Sequence, residues 1–258
     1  MHTERSGSGR PLVLVPGVGG TTGTWRYIMP GLQAEHEVVS VELPGFGRTP
    51  ALTGQVTVTA YADALAAYLR ESGLERADLV GSSLGARLVL EMARRGLGRS
   101  VVALDPGGFW SPVQRAVFGS SLGASVRLVR ALRPALPALL ATAAGRTALL
   151  AQLSARPWAV DPGFALAEVR ALADAPGSLP AIRALARGPL QEGAPAGTLP
   201  GPVLLVWGKQ DRVAPASQAP RALARFPGAR LELLDACGHF PHWDQPARTI
   251  QLVLAATA

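Results

Sequence analysis

Six short apolar runs, spaced along the chain with helical stretches between most of them, limit most sharply what this sequence can fold into. PLVLV (Pro11–Val15), EVVSVE (Glu37–Glu42), ADLVG (Ala77–Gly81), SVVALD (Ser100–Asp105), PVLLVW (Pro202–Trp207) and RLELLD (Arg230–Asp235) have the length and aliphatic content of strands. Helical patterns fall around Trp25–Ala34, Thr59–Ser72, Ser83–Arg95, Ser217–Arg225 and Ala247–Ala256. In the second of these, Tyr61, Leu65, Tyr68 and Leu69 share one face, and Gly73 can end the helix. Strands that are apolar throughout must be covered on both sides, and strand–helix alternation supplies that cover. The expected class is α/β, a mostly parallel sheet of about six strands with helices on both faces. At 258 residues the chain is long enough to bury such a core.

The alternation breaks between the fourth and fifth runs. About 90 residues, Phe109–Ala196, contain no convincing strand and are rich in Ala and Leu with intervening Pro. A structureless loop of that length is implausible, so an inserted helical cap is expected at 109–196, with the core domain made of 1–108 and 197–258. The insertion carries nine Arg against Asp161, Glu168, Asp174 and Glu192, or +5 of the total +7. Nearly all of the chain's basic residues are Arg and no block of consecutive basic residues occurs, so the charge is read as solvated surface arginine and no nucleic-acid partner is expected. The stretch around Pro134–Leu150 is too short and too interrupted to span a bilayer, so no membrane partner is expected. The N-terminal MHTERSGSGR has no apolar core of a signal peptide, and the single Cys237 excludes an internal disulfide. A cytoplasmic protein is expected.

The hexapeptide GSSLGA occurs twice, at Gly81–Ala86 and Gly119–Ala124, and each copy contains Gly-x-Ser-x-Gly. The first follows ADLV and precedes the helical LGARLVLEMARR, so Ser83 sits where a strand turns sharply into a helix. That geometry lifts the hydroxyl above the sheet, beside backbone N–H groups and the positive end of the helix. The second copy follows SPVQRAVF, a poor buried strand, and is expected in a loop or helix start with Ser120 or Ser121 as N-cap. Ser82 is read as supporting or structural. A serine nucleophile needs a base oriented by an acid. His2 lies at the N-terminus and His36 precedes the second strand, which leaves His239 and His242.

With these residues in view, the chain resembles the α/β-hydrolase superfamily. GHFPHWDQP (Gly238–Pro246) is similar to that family's Gly-His-x-Pro-x-x-Glu-x-Pro segment, with Asp244 in place of Glu. The resemblance assigns the base to His239 and leaves His242 as a cap-facing or surface residue. WGKQD (Trp207–Asp211) resembles the family's Trp-Gly-x-x-Asp and assigns the acid to Asp211, in the family order Ser83, Asp211, His239. Asp105 and Asp235 are the rival acids, more simply read as strand-end residues that cap turns. VPGVGGTTGTW (Val15–Trp25) resembles the His-Gly loop, with Pro16 where His usually stands; its Val18 N–H, with the Leu84 N–H, would form the oxyanion hole. The resemblance covers nearly the whole chain outside the insertion. Relatives carry a hairpin before this loop, whereas only ten residues precede Pro11, so a trimmed sheet is expected with Glu37–Glu42 at or near an edge. An exposed edge invites covering or dimerisation, and the oligomer is expected to be a monomer or homodimer.

The resemblance implies a cofactor-free, metal-free serine hydrolase acting on a small-molecule ester, thioester or related acyl substrate. Carbon–carbon bond hydrolases, perhydrolases, acyl-transfer enzymes and a non-catalytic ligand receptor share the fold and stay open. Serine at the elbow argues against epoxide-hydrolase or dehalogenase chemistry, which uses Asp there. The loop Gly17–Gly23 lacks the Gly-Lys-Ser/Thr of a phosphate loop. An acyl-carrier-linked substrate docking on the cationic insertion rests on the charge count alone. Trp25, Phe109, Trp110, Phe240 and Trp243 are candidates to line an apolar acyl pocket, with Trp25, Trp110 and Phe240 foremost. Cys237 is read as a small apolar filler.

Overall fold

In the computed structural model, which describes residues 1–258, all six apolar runs are strands. Numbered in chain order, the strands are β1 (Thr3–Ser6), β2 (Arg10–Val15), β3 (His36–Val41), β4 (Asp78–Ser82), β5 (Val101–Leu104), β6 (Val203–Gly208) and β7 (Arg230–Leu234). They form one sheet in the order β1-β3-β2-β4-β5-β6-β7, parallel throughout except for β1, which runs antiparallel to β3. The sheet thus has seven strands, one more than the apolar runs, in keeping with the expected mostly parallel sheet of about six. The additional strand, TERS, shows no buried face and contributes mainly backbone pairing, from Thr3 opposite Val41 to Ser6 opposite Val38. With it in place, the Glu37–Glu42 run lies near an edge, one strand in. β3 is paired on both sides, and the edges are β1 and β7.

Strands β2 to β6 are largely apolar on both faces, and the pleat sorts their side chains into two cores. Val13, Val15, Leu79, Val101, Leu205 and Trp207 face one layer, while Leu12, Leu14, Val80, Val102, Leu104 and Val206 face the other. The helices are α1 (Met29–Leu32), α2 (Val58–Glu71), α3 (Leu84–Arg94), α4 (Pro112–Ala131), α5 (Leu136–Ala141), α6 (Ala143–Leu150), α7 (Pro162–Asp174), α8 (Ser178–Arg187), α9 (Ala219–Arg225), α10 (Pro241–Asp244) and α11 (Pro246–Thr257). Leu65 and Leu69 of α2 with Leu88 and Met92 of α3 cover the first layer; Leu252 and Val253 of α11, with Trp25, cover the second. The helix expected over Trp25–Ala34 is only a 3-10 turn at Thr22–Trp25 and the one-turn α1, because Gly23, Pro30 and Gly31 favour turns over a continuous helix.

Between β5 and β6 the chain is helical, α4 to α8. Ser111 caps α4 in a reciprocal box with Gln114, and Asp161 caps α7 through the Phe164 N–H. These helices share a small core of their own, including Leu136, Leu140, Phe164 and Val169, which Trp243 joins from outside the segment. Most of the segment's arginines are exposed, but three bond to carbonyls within it. Arg115 donates to the Ala186 and Gly188 carbonyls at the end of α8. Arg130 donates to those of Ala173 and Ala175 at the end of α7, and Arg146 to those of Leu140 and Ala141 at the end of α5. Each places positive charge against carbonyls that the helix leaves unbonded. No helix is long and apolar enough to cross a membrane.

Candidate active site

The sharp turn expected at the first GSSLGA is formed at the end of β4. Ser83 has φ 56° and ψ −111°, a backbone conformation that costs a non-glycine residue about 1–3 kcal/mol and survives only where its surroundings enforce it. The Ser83 N–H donates to the Leu104 carbonyl at 2.9 Å, and its own carbonyl accepts from Arg87 N–H in α3. The flanking glycines permit this approach: a Cβ on Gly85 would overlap the Val15 carbonyl, and one on Gly81 the Gly85 carbonyl. The second GSSLGA lies within α4, which corrects the expectation of a loop or helix start; Ser111 is that helix's N-cap. Gly119 is tolerated there because it abuts Ala186 of α8, where any side chain would collide. Ser121 Oγ accepts from Gln152 Nε2 at 2.9 Å and has no histidine beside it. Ser82 is fully buried with an unpartnered hydroxyl.

The turn after β7 and the turn after β6 bring two further residues to Ser83. His239 Nε2 lies 2.8 Å from Ser83 Oγ, and Nδ1 lies 2.8 Å from Asp211 Oδ2. With Nδ1–H donated to the carboxylate, Nε2 is left to accept the serine proton. The other Asp211 oxygen accepts the Val213 and Ala214 N–H groups at 2.7 and 2.9 Å, and Trp207 Nε1–H donates to the Ala214 carbonyl, so this turn is fixed. Asp244 fixes the histidine loop. Its carboxylate accepts the Gly238 and Ala155 N–H groups, at 2.7 and 2.8 Å, and the Ser154 hydroxyl. The rival acids are set apart. Asp235 is exposed and pairs with Lys209 at 2.8 Å. Asp105 is fully buried at the end of β5 and accepts the Gly208 N–H; burial first, then the adjacent Asp211 charge, raises its carboxyl well above the ordinary range. Asp105, Asp211 and His239 lie close enough to share a cation, but the ring nitrogens and Asp211 oxygens are already engaged within the chain.

Ser83 and His239 open into a pocket whose floor is the loop after β2, Gly17 to Gly20, and whose roof is Leu122, Leu150, Val169 and Leu172 from α4, α6 and α7. Neither the Val18 nor the Leu84 N–H donates to another backbone group. Gly17 lies so near the serine that a Cβ there would stand 3.0 Å from Ser83 Cβ. This strand order and turn geometry agree with a family profile, described as the alpha/beta hydrolase family, that matches residues 12–252. The chain belongs to the alpha/beta hydrolase family. It is 34% identical to the epoxide hydrolase EphH of Mycobacterium tuberculosis, over 74% of this chain and 91% of that one. It is 29% identical to the 2-hydroxy-6-oxo-2,4-heptadienoate hydrolase of Pseudomonas putida, over 96% of this chain and 88% of that one. In fold it is similar to an esterase from Exiguobacterium antarcticum, with a TM-score of 0.80 at 18% identity over 99% and 94% of the two chains.

Not every residue expected to line the pocket of this alpha/beta hydrolase does so. Phe240 and Trp243 do. Trp25 is buried in the second core layer, and Trp110 packs on Phe118 with ring centroids 4.6 Å apart; both expectations are corrected. Phe109 is likewise core, against Trp207 and Phe226. His242 is neither cap-facing nor at the surface. It is buried between Trp25 and Phe240, and burial, with His239 as a lesser influence, lowers it to about 3, so it stays neutral. Cys237 is a buried filler whose thiol burial pushes up. Glu168 of α7, which the motifs did not single out, lines the pocket and accepts the Thr24 hydroxyl at 2.9 Å. Burial raises its carboxyl to about 7, against the pull of Thr24. A signal for it existed in the sequence: Glu168 falls four residues after Phe164 and four before Leu172, on the apolar stripe of its helix.

Proposed function

We propose that the protein is a cofactor-independent serine hydrolase that cleaves an ester, thioester or related acyl bond. Ser83 Oγ attacks the carbonyl carbon as its proton passes to His239 Nε2, while Asp211 holds the imidazole tautomer and balances the imidazolium. The oxyanion is received by the Val18 and Leu84 N–H groups. As the tetrahedral carbon collapses, the bond to the leaving group breaks and that group takes the proton from Nε2, leaving Ser83 acylated. Water, deprotonated by the same nitrogen, then releases the acid and restores the serine. The helices between β5 and β6 act as the cap over this chemistry. The observation that carries the reading is the two 2.8 Å contacts by which His239 links Ser83 to Asp211, from turns that follow three different strands.

The Pseudomonas putida relative is, by its name, a hydrolase of the carboxylate 2-hydroxy-6-oxo-2,4-heptadienoate, and carbon–carbon bond hydrolysis of a carboxylate substrate is the second reading. Against it, the pocket holds Glu168 and no Arg or Lys, so a substrate carboxylate finds no cation to pair with. Carrier docking by the insertion has little to stand on, because Arg115, Arg130, Arg146 and Arg156 are engaged by carbonyls of the chain itself. The test is intact-mass analysis after treatment with an alkyl fluorophosphonate. One adduct, lost in Ser83→Ala and kept in Ser121→Ala, is expected. No adduct on the wild type with an active reagent would remove the hydrolase reading.

A further inference from the structure

Every side chain of the pocket roof is aliphatic except one. Glu168 projects from α7 into the space that Ser83 and His239 share, and besides His239 it is the only ionisable group there. Its placement is built from both ends. Thr24 Oγ1 accepts the Thr21 N–H at 3.1 Å and donates to Glu168 Oε2, so the hydroxyl is oriented by its own turn. The start of α7 is tied to the same turn by Arg26 with Asp161 at 3.3 Å, and by the Asp161 N–H donating to the Tyr27 hydroxyl. Gly19 packs directly beneath Leu172, one helical turn beyond Glu168. These contacts hold α7 against the oxyanion-side loop and the half-buried Glu168 over the pocket.

A carboxyl buried for structure alone normally faces a cation or fills both oxygens with donors. Glu168 has neither. No Arg or Lys approaches it, and Thr24 occupies Oε2 only, while Oε1 receives no hydrogen bond from the chain. Glu168 lines the pocket among leucine and valine side chains, and this free oxygen is the one left to meet what enters. An unsubstituted alkyl chain laid there would strip water from it and give nothing back, whereas an O–H or N–H would restore the bond.

We propose that Glu168 is a substrate-recognition residue, and that the preferred substrates carry a hydrogen-bond donor, a hydroxyl or an amino group, on the part of the acyl chain lying beneath α7. The inference rests on the serine-hydrolase reading, since the acyl chain is placed by Ser83. It makes the pocket selective for hydroxy- or amino-substituted acyl compounds over plain aliphatic ones, and hostile to acyl groups ending in a carboxylate.

The test is a series of alkyl fluorophosphonates bearing a hydroxyl or an amino group at successive chain carbons, each beside its unsubstituted homologue. The second-order rate of Ser83 labelling is measured for the wild type, Glu168→Gln and Glu168→Leu. In the wild type, at least one substituted probe is expected to react about tenfold faster than its homologue, the worth of one net hydrogen bond. That preference should persist in part with Gln, which keeps an acceptor, and vanish or invert with Leu. A hydroxyl preferred over an amine assigns a neutral donor, and the reverse assigns a cation; either supports the proposal. Equal rates for every pair in the wild type overturn it while leaving the hydrolase reading intact. So does an equal slowing of both members of each pair in Glu168→Leu, which is the signature of a merely structural tether. If no probe labels Ser83 at all, the hydrolase reading fails first and this inference falls with it.

Discussion

Asp244 stands where the family's segment carries Glu, and its removal tests how the histidine is held. The carboxylate is almost fully buried and accepts three donors: the Gly238 N–H, the Ala155 N–H and the Ser154 hydroxyl. Hydrogen bonds to a charged acceptor are worth about 1.5–3 kcal/mol each, and donors left unpaired in a buried site are costly in their own right. The three share one acceptor group and are not additive, so Asp244→Ala is expected to cost about 3–5 kcal/mol. That is a large part of the roughly 5–15 kcal/mol by which such domains are stable. At about 2–4 °C per kcal/mol for a chain of this size, the melting temperature should fall by about 6–20 °C. Asp244→Asn is the discriminating control. Its amide oxygen can serve both N–H groups while its NH2 donates to Ser154 Oγ, so the loss should be about 1–2 kcal/mol. Gly238 adjoins His239, whose own N–H donates to the Leu153 carbonyl in the same crossing segment. The rate of Ser83 phosphonylation should therefore fall in the order wild type, Asn, Ala, and circular-dichroism melts should follow the same order. An Ala variant within 3 °C of wild type, or an Asn variant as damaged as Ala, would refute this account of the loop.

Two further outcomes follow from the structure. Gly85→Ala should destabilise by about 3 kcal/mol in urea unfolding, because its Cβ would overlap the rigid Val15 and Pro16 carbonyls; Gly228→Ala, in open space, should stay within about 0.5 kcal/mol. Glu168→Gln should change how stability depends on pH. The folded carboxyl titrates at about 7 against an ordinary 4.5, so the folded state holds the proton more tightly and wild-type stability falls as pH rises between those values. At about 1.4 kcal/mol per pH unit the full penalty is about 3 kcal/mol, reduced to about 1–2 because the partly buried residue still meets solvent through the pocket. Urea titrations at pH 4 and pH 8 should show the Gln variant gaining that amount on the wild type at the higher pH. An unchanged difference between the two would dismiss the carboxyl's burial as its cause.

What could be read from the chain divides along a physical line. Strands β2 to β6 were legible because they are largely buried on both faces and so mostly apolar; β7, at an edge with Arg230 and Leu233 exposed, was legible from its leucines alone. β1 was not, because TERS contributes backbone hydrogen bonds, which any sequence can make, and buries no side chain that would mark it. The same line runs through the site. Ser83 could be located because the turn that holds it needs residues without Cβ atoms at fixed offsets, Gly81 and Gly85, and such backbone demands leave a motif. Trp25, Trp110 and Phe240 are chemically alike at that level, yet only Phe240 reaches the pocket; the choice depends on which side of the sheet a segment packs, and no local pattern records it. The roof is the extreme case. Its helices obey no spacing rule tied to Ser83, so the face of α7 that looks down on the serine is set by tertiary docking of Asp161 and Leu172 onto the loop below. Glu168 therefore left only a weak mark, an acid in an apolar stripe. The turns that bring Ser83, Asp211 and His239 together wrote themselves into the sequence as glycines and a spaced Asp and His. The surface that selects what enters is free to vary while those turns stay constant, and that freedom lets one framework serve many substrates.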